Sequence, residues 1–196
     1  MKKSLLILAL TMFSFASAQK GTVLVLGNVS YNSQKSDDLG SSPEIINFNF
    51  LPKVGYQYND SWTVGIESSF NSNKYGNVNS QELKNNGFSI GSFLRYSKPL
   101  GGFFSAYADL GAGYQYRKYS SYTGGYNSVS ITKESGFYVG ITPALFLNIK
   151  KGFGLNFNIG GLGYSALNNI INAGEDTKIF YFSFGQAFSV GISKNF

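Results

Sequence analysis

Phe104-Ser105-Ala106-Tyr107-Ala108-Asp109-Leu110-Gly111-Ala112-Gly113-Tyr114-Gln115-Tyr116-Arg117 is the stretch that decides the fold. Its even positions, Phe104, Ala106, Ala108, Leu110, Ala112, Tyr114 and Tyr116, are apolar or aromatic. Its odd positions, Ser105, Tyr107, Asp109, Gly111, Gly113, Gln115 and Arg117, are mostly small, polar or charged. Successive side chains of a strand point to opposite faces, so sustained two-residue alternation predicts a β-strand with one greasy face and one polar face.

The pattern recurs along the chain. Thr22 to Tyr31 sets Val23, Val25, Val29 and Tyr31 against Asn28 and Ser30. Asn47 to Tyr58 sets Phe48, Phe50, Val54, Tyr56 and Tyr58 against Asn47, Asn49, Lys53 and Gln57. Trp62 to Phe70, Gly87 to Lys98, Phe137 to Asn148 and Leu155 to Gly160 repeat it. The last segment puts Phe180, Phe182, Phe184, Phe188, Val190 and Ile192 on one face as a single strand. About eight strands result, each long enough to cross a bilayer at a tilt, for which about 9 to 11 residues suffice. Eight is also the smallest strand number usual in a membrane barrel.

The connections alternate in length. Asn59-Asp60-Ser61, Pro99 to Gly102 and Lys150-Lys151-Gly152 read as tight turns, built from residues that favour turn geometry. Asn32 to Pro43, Asn71 to Asn86, Ser120 to Ser135 and Ala166 to Thr177 read as longer polar loops. This rhythm predicts short turns on the periplasmic side, long loops outside, and both termini in the periplasm.

Met1-Lys2-Lys3, the apolar run Ser4 to Phe15 and the small residues Ala16-Ser17-Ala18 read together as a secretory signal over residues 1–18, cleaved to leave a barrel domain over 19–196. Of the 16 basic residues, Lys2 and Lys3 fall in the signal, which leaves 14 against 10 acidic ones. That mild surplus is scattered and forms no basic stripe, so nucleic acid is not an expected partner. Cys is absent, so disulfides do not hold the fold. An eight-stranded soluble barrel would turn its apolar face inward around a ligand and show charges outside. Here the polar face is crowded with Gly, Ser and Asn, which suits a narrow interior, and the bulky aromatic face suits lipid. The expected fold is therefore all-β: an eight-stranded antiparallel up-and-down transmembrane β-barrel.

On these strands and turns the chain resembles the small outer-membrane β-barrel proteins of Gram-negative bacteria, in particular the outer membrane protein β-barrel domain family, over the whole mature length. The resemblance extends to the final strand. There Ser189, Gly191 and Phe196 fill the polar, glycine and terminal aromatic places of the signal such proteins present to the barrel-assembly machinery. Lys194 departs from that pattern. Phe196 is expected to be an exposed aromatic at the membrane interface, on a last strand paired with the first near Val23. The resemblance implies an outer-membrane location, with lipid and lipopolysaccharide as surroundings and the assembly machinery as partner during insertion.

The candidate site is the interior: Lys53, Glu67, Arg95, Asp109 and Arg117 fall on the polar face and are expected to form a paired network filling a narrow lumen. Glu67 and Asp109 lie two strands apart, and the sequence does not bring them together. No catalytic, cofactor or metal residues are assigned. The chain has no His, the general base on which the known chemistries of small membrane barrels lean, as the resemblance implies. Asp37-Asp38 and Glu175-Asp176 read as solvated loop carboxylates, and Gly160-Gly161 with Gly163 as a bend or close packing. Tyr31, Tyr75, Tyr114, Tyr116, Tyr119, Tyr122 and Tyr126 are expected to form an outer aromatic girdle, and Tyr56, Tyr58, Trp62, Tyr96, Phe104 and Phe153 a periplasmic one. The functional expectation is a non-enzymatic barrel with a structural or surface-interaction role through its outer loops. The alternatives are a narrow channel for small solutes and a soluble periplasmic barrel binding an apolar ligand.

Overall fold

The computed structural model describes residues 21–35, 44–77, 81–123, 128–170 and 176–196. These hold eight strands: β1 (Thr22–Lys35), β2 (Glu44–Gln57), β3 (Trp62–Asn77), β4 (Gln81–Gly101), β5 (Phe104–Thr123), β6 (Ser128–Lys150), β7 (Phe153–Asn169) and β8 (Thr177–Asn195). Each pairs antiparallel with its chain neighbours and β8 returns to β1, so the sheet closes into a barrel with no crossover. The signal expected over residues 1–18 lies outside the described residues, as do Asp37-Asp38, Gly124-Gly125, Tyr126 and Glu175.

The alternation sets which face is which. Val29, Ile66, Phe137, Phe180 and Phe182 stand outward, 62% to 73% exposed, whereas Phe93, Arg95 and Asp109 on the opposite parity are 2% to 5% exposed. Among the described residues the interior positions mix apolar side chains, such as the cluster of Leu24, Leu26 and Phe93 and the buried Leu167, with buried polar and charged ones such as Thr63, Arg95, Asp109, Gln115 and Asn156. A barrel this narrow holds large interior side chains only if their neighbours are small, and the glycines of the polar face supply the space. Gly55 and Gly65 are register partners, and the Phe93 ring lies across both. Glu67 lies against Gly111, Tyr138 against Gly91, and Tyr181 against Gly163.

Three short turns share the end that carries both ends of the barrel chain. At the first, Asn59 Oδ1 accepts from the backbone N–H of Ser61 at 2.9 Å and of Trp62 at 2.8 Å. The third is made by Lys151 and Gly152, with φ of 46° and 75°. At the opposite rim the strands run far beyond what was expected. The stretches 71–86 and 120–135, read as loops, are largely strand: β3 pairs with β4 up to Asn77–Gln81, and β5 with β6 up to Thr123–Ser128. With 21, 20 and 23 residues, β4 to β6 are about twice as long as a bilayer crossing of about 9 to 11 residues requires. A mostly polar composition without clear apolar alternation hid these extensions, because strand pairing itself requires only backbone groups.

Register shifts occur in the β4–β5, β6–β7 and β7–β8 ladders, and the last is the largest. Asn158 pairs with Ser189 but Gly160 with Phe184, so β8 carries an insertion over Gly185 to Phe188 and is not the uninterrupted strand expected. Gly160 has φ of 124° and Gly185 of 71°, conformations that favour glycine at such bulges. Along β7 the outward set then changes from Leu155 and Phe157 to Leu162 and Tyr164. Closure between β1 and β8 is short: four register pairs from Leu24–Asn195 to Gly27–Ile192, plus the mutual bonds of Val23 and Phe196 at 3.0 and 2.9 Å. Phe196 itself is not the exposed aromatic expected. It is 4% exposed, and Lys194, two residues earlier on the same parity, holds its ammonium 4.7 Å from the ring centroid.

Candidate functional site

Two cross-strand ion pairs build the centre of the lumen. Lys53 on β2 stands opposite Glu67 on β3, with Nζ 2.7 Å from Oε2. Arg95 on β4 stands opposite Asp109 on β5, with Nε 2.7 Å from Oδ1 and Nη2 2.9 Å from Oδ2. Lys53 Nζ also donates to Asp109 Oδ2 at 3.0 Å, joining the pairs across the lumen and linking Glu67 to Asp109 through one ammonium group. Two cations face two anions, so the cluster is neutral. Charges so enclosed persist only when paired and hydrogen-bonded, and Arg95 meets its carboxylate through two parallel bonds, the strongest pairing available to it.

Aromatic groups wrap the cluster. The Arg95 guanidinium lies 3.7 Å from the Tyr107 ring centroid, and Lys53 lies 5.1 Å from that of Phe93. Tyr138 donates from its hydroxyl to Glu67 Oε1 at 2.9 Å. Tyr107 donates to Asn156 Oδ1 at 3.0 Å, and Asn156 Nδ2 donates to Ser193 Oγ at 2.7 Å, which carries the network to β7 and β8. Sequence reading assigned no role to Tyr107 or Tyr138, since contact across a lumen leaves no trace in local spacing. The Lys53–Glu67 and Arg95–Asp109 pairs did leave one: each is symmetric about its tight turn, at Asp60 and at Gly102.

Cavities lie on both sides. One of about 200 Å³ on the rim side is lined by Lys53, Glu67, Asp109, Tyr138 and Tyr181. One of about 230 Å³ on the turn side is lined by Arg95, Tyr107, Leu24, Gln57 and Ser193. The mouth holds a third, about 300 Å³, lined by Ile45, Asn73, Tyr75, Leu83, Asn85 and Tyr119. Tyr75 and Tyr119 therefore line the mouth and do not belong to the outward girdle in which they were expected, because each has the parity of the interior positions. Outward ring pairs do occur lower down, tilted against each other, between Phe70 and Phe88 at 5.1 Å and between Trp62 and Tyr96 at 4.9 Å.

Arg117 is not brought into the cluster. It lies eight residues from Asp109 along β5, about 26 Å at about 3.3 Å per residue, opposite Glu134 in register. Of the C-terminal residues, Ser189 pairs through its backbone with Asn158, and Gly191 is buried beside Asn156 and Asn28. Among the described residues no cluster of three or more His, Cys, Asp or Glu side chains could hold a metal ion.

Comparison with known proteins matches residues 4–196 to the family described as outer membrane protein beta-barrel domain. Similar solved structures include Neisserial surface protein A, at 18% identity over 92% of this chain and 100% of that one, with a TM-score of 0.43. They also include Ail, the attachment invasion locus protein of Yersinia pestis, at 15% identity over 91% and 99%, with a TM-score of 0.44. A third is the outer membrane protein OprG from Pseudomonas aeruginosa, at 14% identity over 91% and 97%, with a TM-score of 0.45. No curated protein matches the sequence.

Proposed function

The chain belongs to the outer membrane protein beta-barrel domain family, and from that premise we propose that it is a non-enzymatic barrel of the outer membrane, closed in its lumen and presenting its raised rim to the outside. One observation carries the reading: the Lys53–Glu67–Asp109–Arg95 cluster spans the lumen from β2 to β5. Every charge in it is engaged, so it closes the barrel without leaving a group free for acid–base chemistry. The rim strands, standing about ten residues beyond the span a bilayer needs, supply the surface for interaction, with the mouth cavity at its centre. Residues 1–18 act as the cleaved signal, so sequencing the protein recovered from the membrane should begin at Gln19, and an intact Met1 would remove that assignment.

Conductance tests the reading. The refolded protein in a planar bilayer should give no stepwise current at physiological salt; regular single-channel openings of the wild type would overturn it in favour of a narrow channel. That second reading has its own support, since cavities of about 200 and 230 Å³ touch the cluster from both sides. An ion path would then need only the Lys53 and Arg95 side chains to swing aside.

A further inference from the structure

Two pairs of lysines stand directly opposite each other on adjacent strands: Lys74 on β3 against Lys84 on β4, and Lys118 on β5 against Lys133 on β6. All four share the parity of outward residues on their strands. Lys74 follows Ile66 and Phe70, Lys84 precedes Phe88 and Ile90, Lys118 follows Leu110 and Tyr114, and Lys133 precedes Phe137 and Val139. They therefore face the surroundings of the barrel. Their position along the strands is set by the register. Phe70, Phe88 and Tyr116 form one row, Lys118 and Lys133 stand in the next row toward the rim with Tyr31 and Phe48, and Lys74 and Lys84 in the row after that. Each step is two residues, about 6.6 Å along the strand, so the lysines stand at the rim-side edge of the outward aromatic belt.

Like charges directly opposite on one sheet face repel. Among the described residues the only carboxylate within salt-bridge reach of the four is Glu82, 3.4 Å from Lys74. The nearby outward Glu44 stands opposite Lys35 in register. Lys84 is exposed, and Lys118 and Lys133 are half-buried, as suits long basic side chains that cover apolar surface with their stems and keep the charged head in water. An anion with several oxygens seated between the pairs would turn this repulsion into attraction.

We propose that Lys74, Lys84, Lys118 and Lys133 form a binding site for the phosphate groups of an outer-leaflet phosphorylated glycolipid of the lipid A type, whose acyl chains pack on Phe70, Phe88, Tyr114 and Phe137 beneath. The site rests on the membrane orientation of the proposed function. Charge complementarity and continuity with the apolar belt select a lipid over a soluble anion, because an anion anchored at this depth has its tail where the aromatic belt lies.

The test uses the full chain inserted in phosphatidylcholine vesicles containing either bisphosphorylated or dephosphorylated lipid A, extracted in mild detergent and weighed by native mass spectrometry for retained lipid. Each lysine near an anionic headgroup is worth about fivefold in affinity. The wild type should retain the phosphorylated form, and K118Q/K133Q should lose about 25-fold, as should K74Q/K84Q. K118R/K133R, which keeps the charges, should retain it. Equal retention of the two lipids by the wild type, or unchanged retention by both glutamine variants, overturns the site. Displacement by a soluble polysulfated sugar with no lipid preference reassigns the patch to a surface polyanion and overturns the lipid. A wild-type chain that enters vesicles of neither composition overturns the barrel reading itself, and the site with it.

Discussion

Asp109→Ala removes the group on which the lumen cluster turns. Its carboxylate takes two bonds from Arg95, at 2.7 and 2.9 Å, and one from Lys53 at 3.0 Å. The side chains of Asp109 and Arg95 are only 5% and 6% exposed. Bonds to charged groups are worth about 1.5 to 3 kcal/mol each, so three would lose about 4.5 to 9 kcal/mol if nothing relaxed. Relaxation is available, since Lys53 keeps Glu67 at 2.7 Å and the turn-side cavity reaches Arg95. Removing one partner of a buried pair costs about 3 to 5 kcal/mol, and about 4 kcal/mol is expected here. Glu67→Gln is the control. It removes one charge from a pair whose side chains are 17% and 13% exposed; its one oxygen can still accept from Lys53, which also keeps Asp109, and its amide N–H can donate to the Tyr138 hydroxyl, so about 1 kcal/mol is expected. Urea unfolding of the barrel in lipid vesicles, followed by the fluorescence of the single tryptophan, Trp62, should show the two midpoints well separated at unchanged slope. If Asp109→Ala does not fold, Asp109→Asn, which still accepts from Arg95, should fall between them. An alanine variant within about 1 kcal/mol of wild type, or equal losses for the two sites, would refute the reasoning.

Gly65→Val should cost about 1 to 3 kcal/mol or more through overpacking, because a Cβ there meets Val54 O, Gly55 Cα and the Phe93 ring. Gly27→Ala, with nothing within 4 Å, should stay within about 0.5 kcal/mol; the same unfolding assay reads both, and equal effects would sink the socket account. Deleting Phe196 removes its two backbone bonds to Val23 from a seam otherwise held by four register pairs. The yield of folded barrel on unheated gels should fall, and an unchanged yield would show that the seam does not depend on this rung.

Alternation made the barrel wall legible where one face meets lipid and the other a crowded lumen. Phe104 to Arg117 could be assigned residue by residue because every position there answers to one environment or the other. Above the aromatic belt that contrast ends. Asn71 to Asn86 and Ser120 to Ser135 are largely polar, so their composition matches a loop as well as a strand, and only the hairpin register shows them to be ladder. Phe196 was misread for a related reason. Its parity is that of outward Val190 and Ile192, yet it is 4% exposed with Lys194 over the ring, packing at the end of a strand that parity does not encode.

The lumen cluster was legible in halves. A tight turn fixes the register of its hairpin, so residues equidistant from the turn become partners. With Asp60 at the centre of the first hairpin and Gly102 at the centre of the second, Lys53 must meet Glu67 and Arg95 must meet Asp109. What no local rule supplies is the contact between hairpins, Lys53 to Asp109 and Tyr138 to Glu67, which depends on the width of the closed barrel. Here the glycines carry the missing information. Glu67 can reach inward toward Lys53 and Tyr138 because its neighbour across the wall is Gly111, and Tyr138 can approach Glu67 because it lies against Gly91. Glu67, Phe93, Tyr138 and Tyr181 each lie against a glycine, so the small residues of the polar face leave the room in which the two hairpins' charges meet.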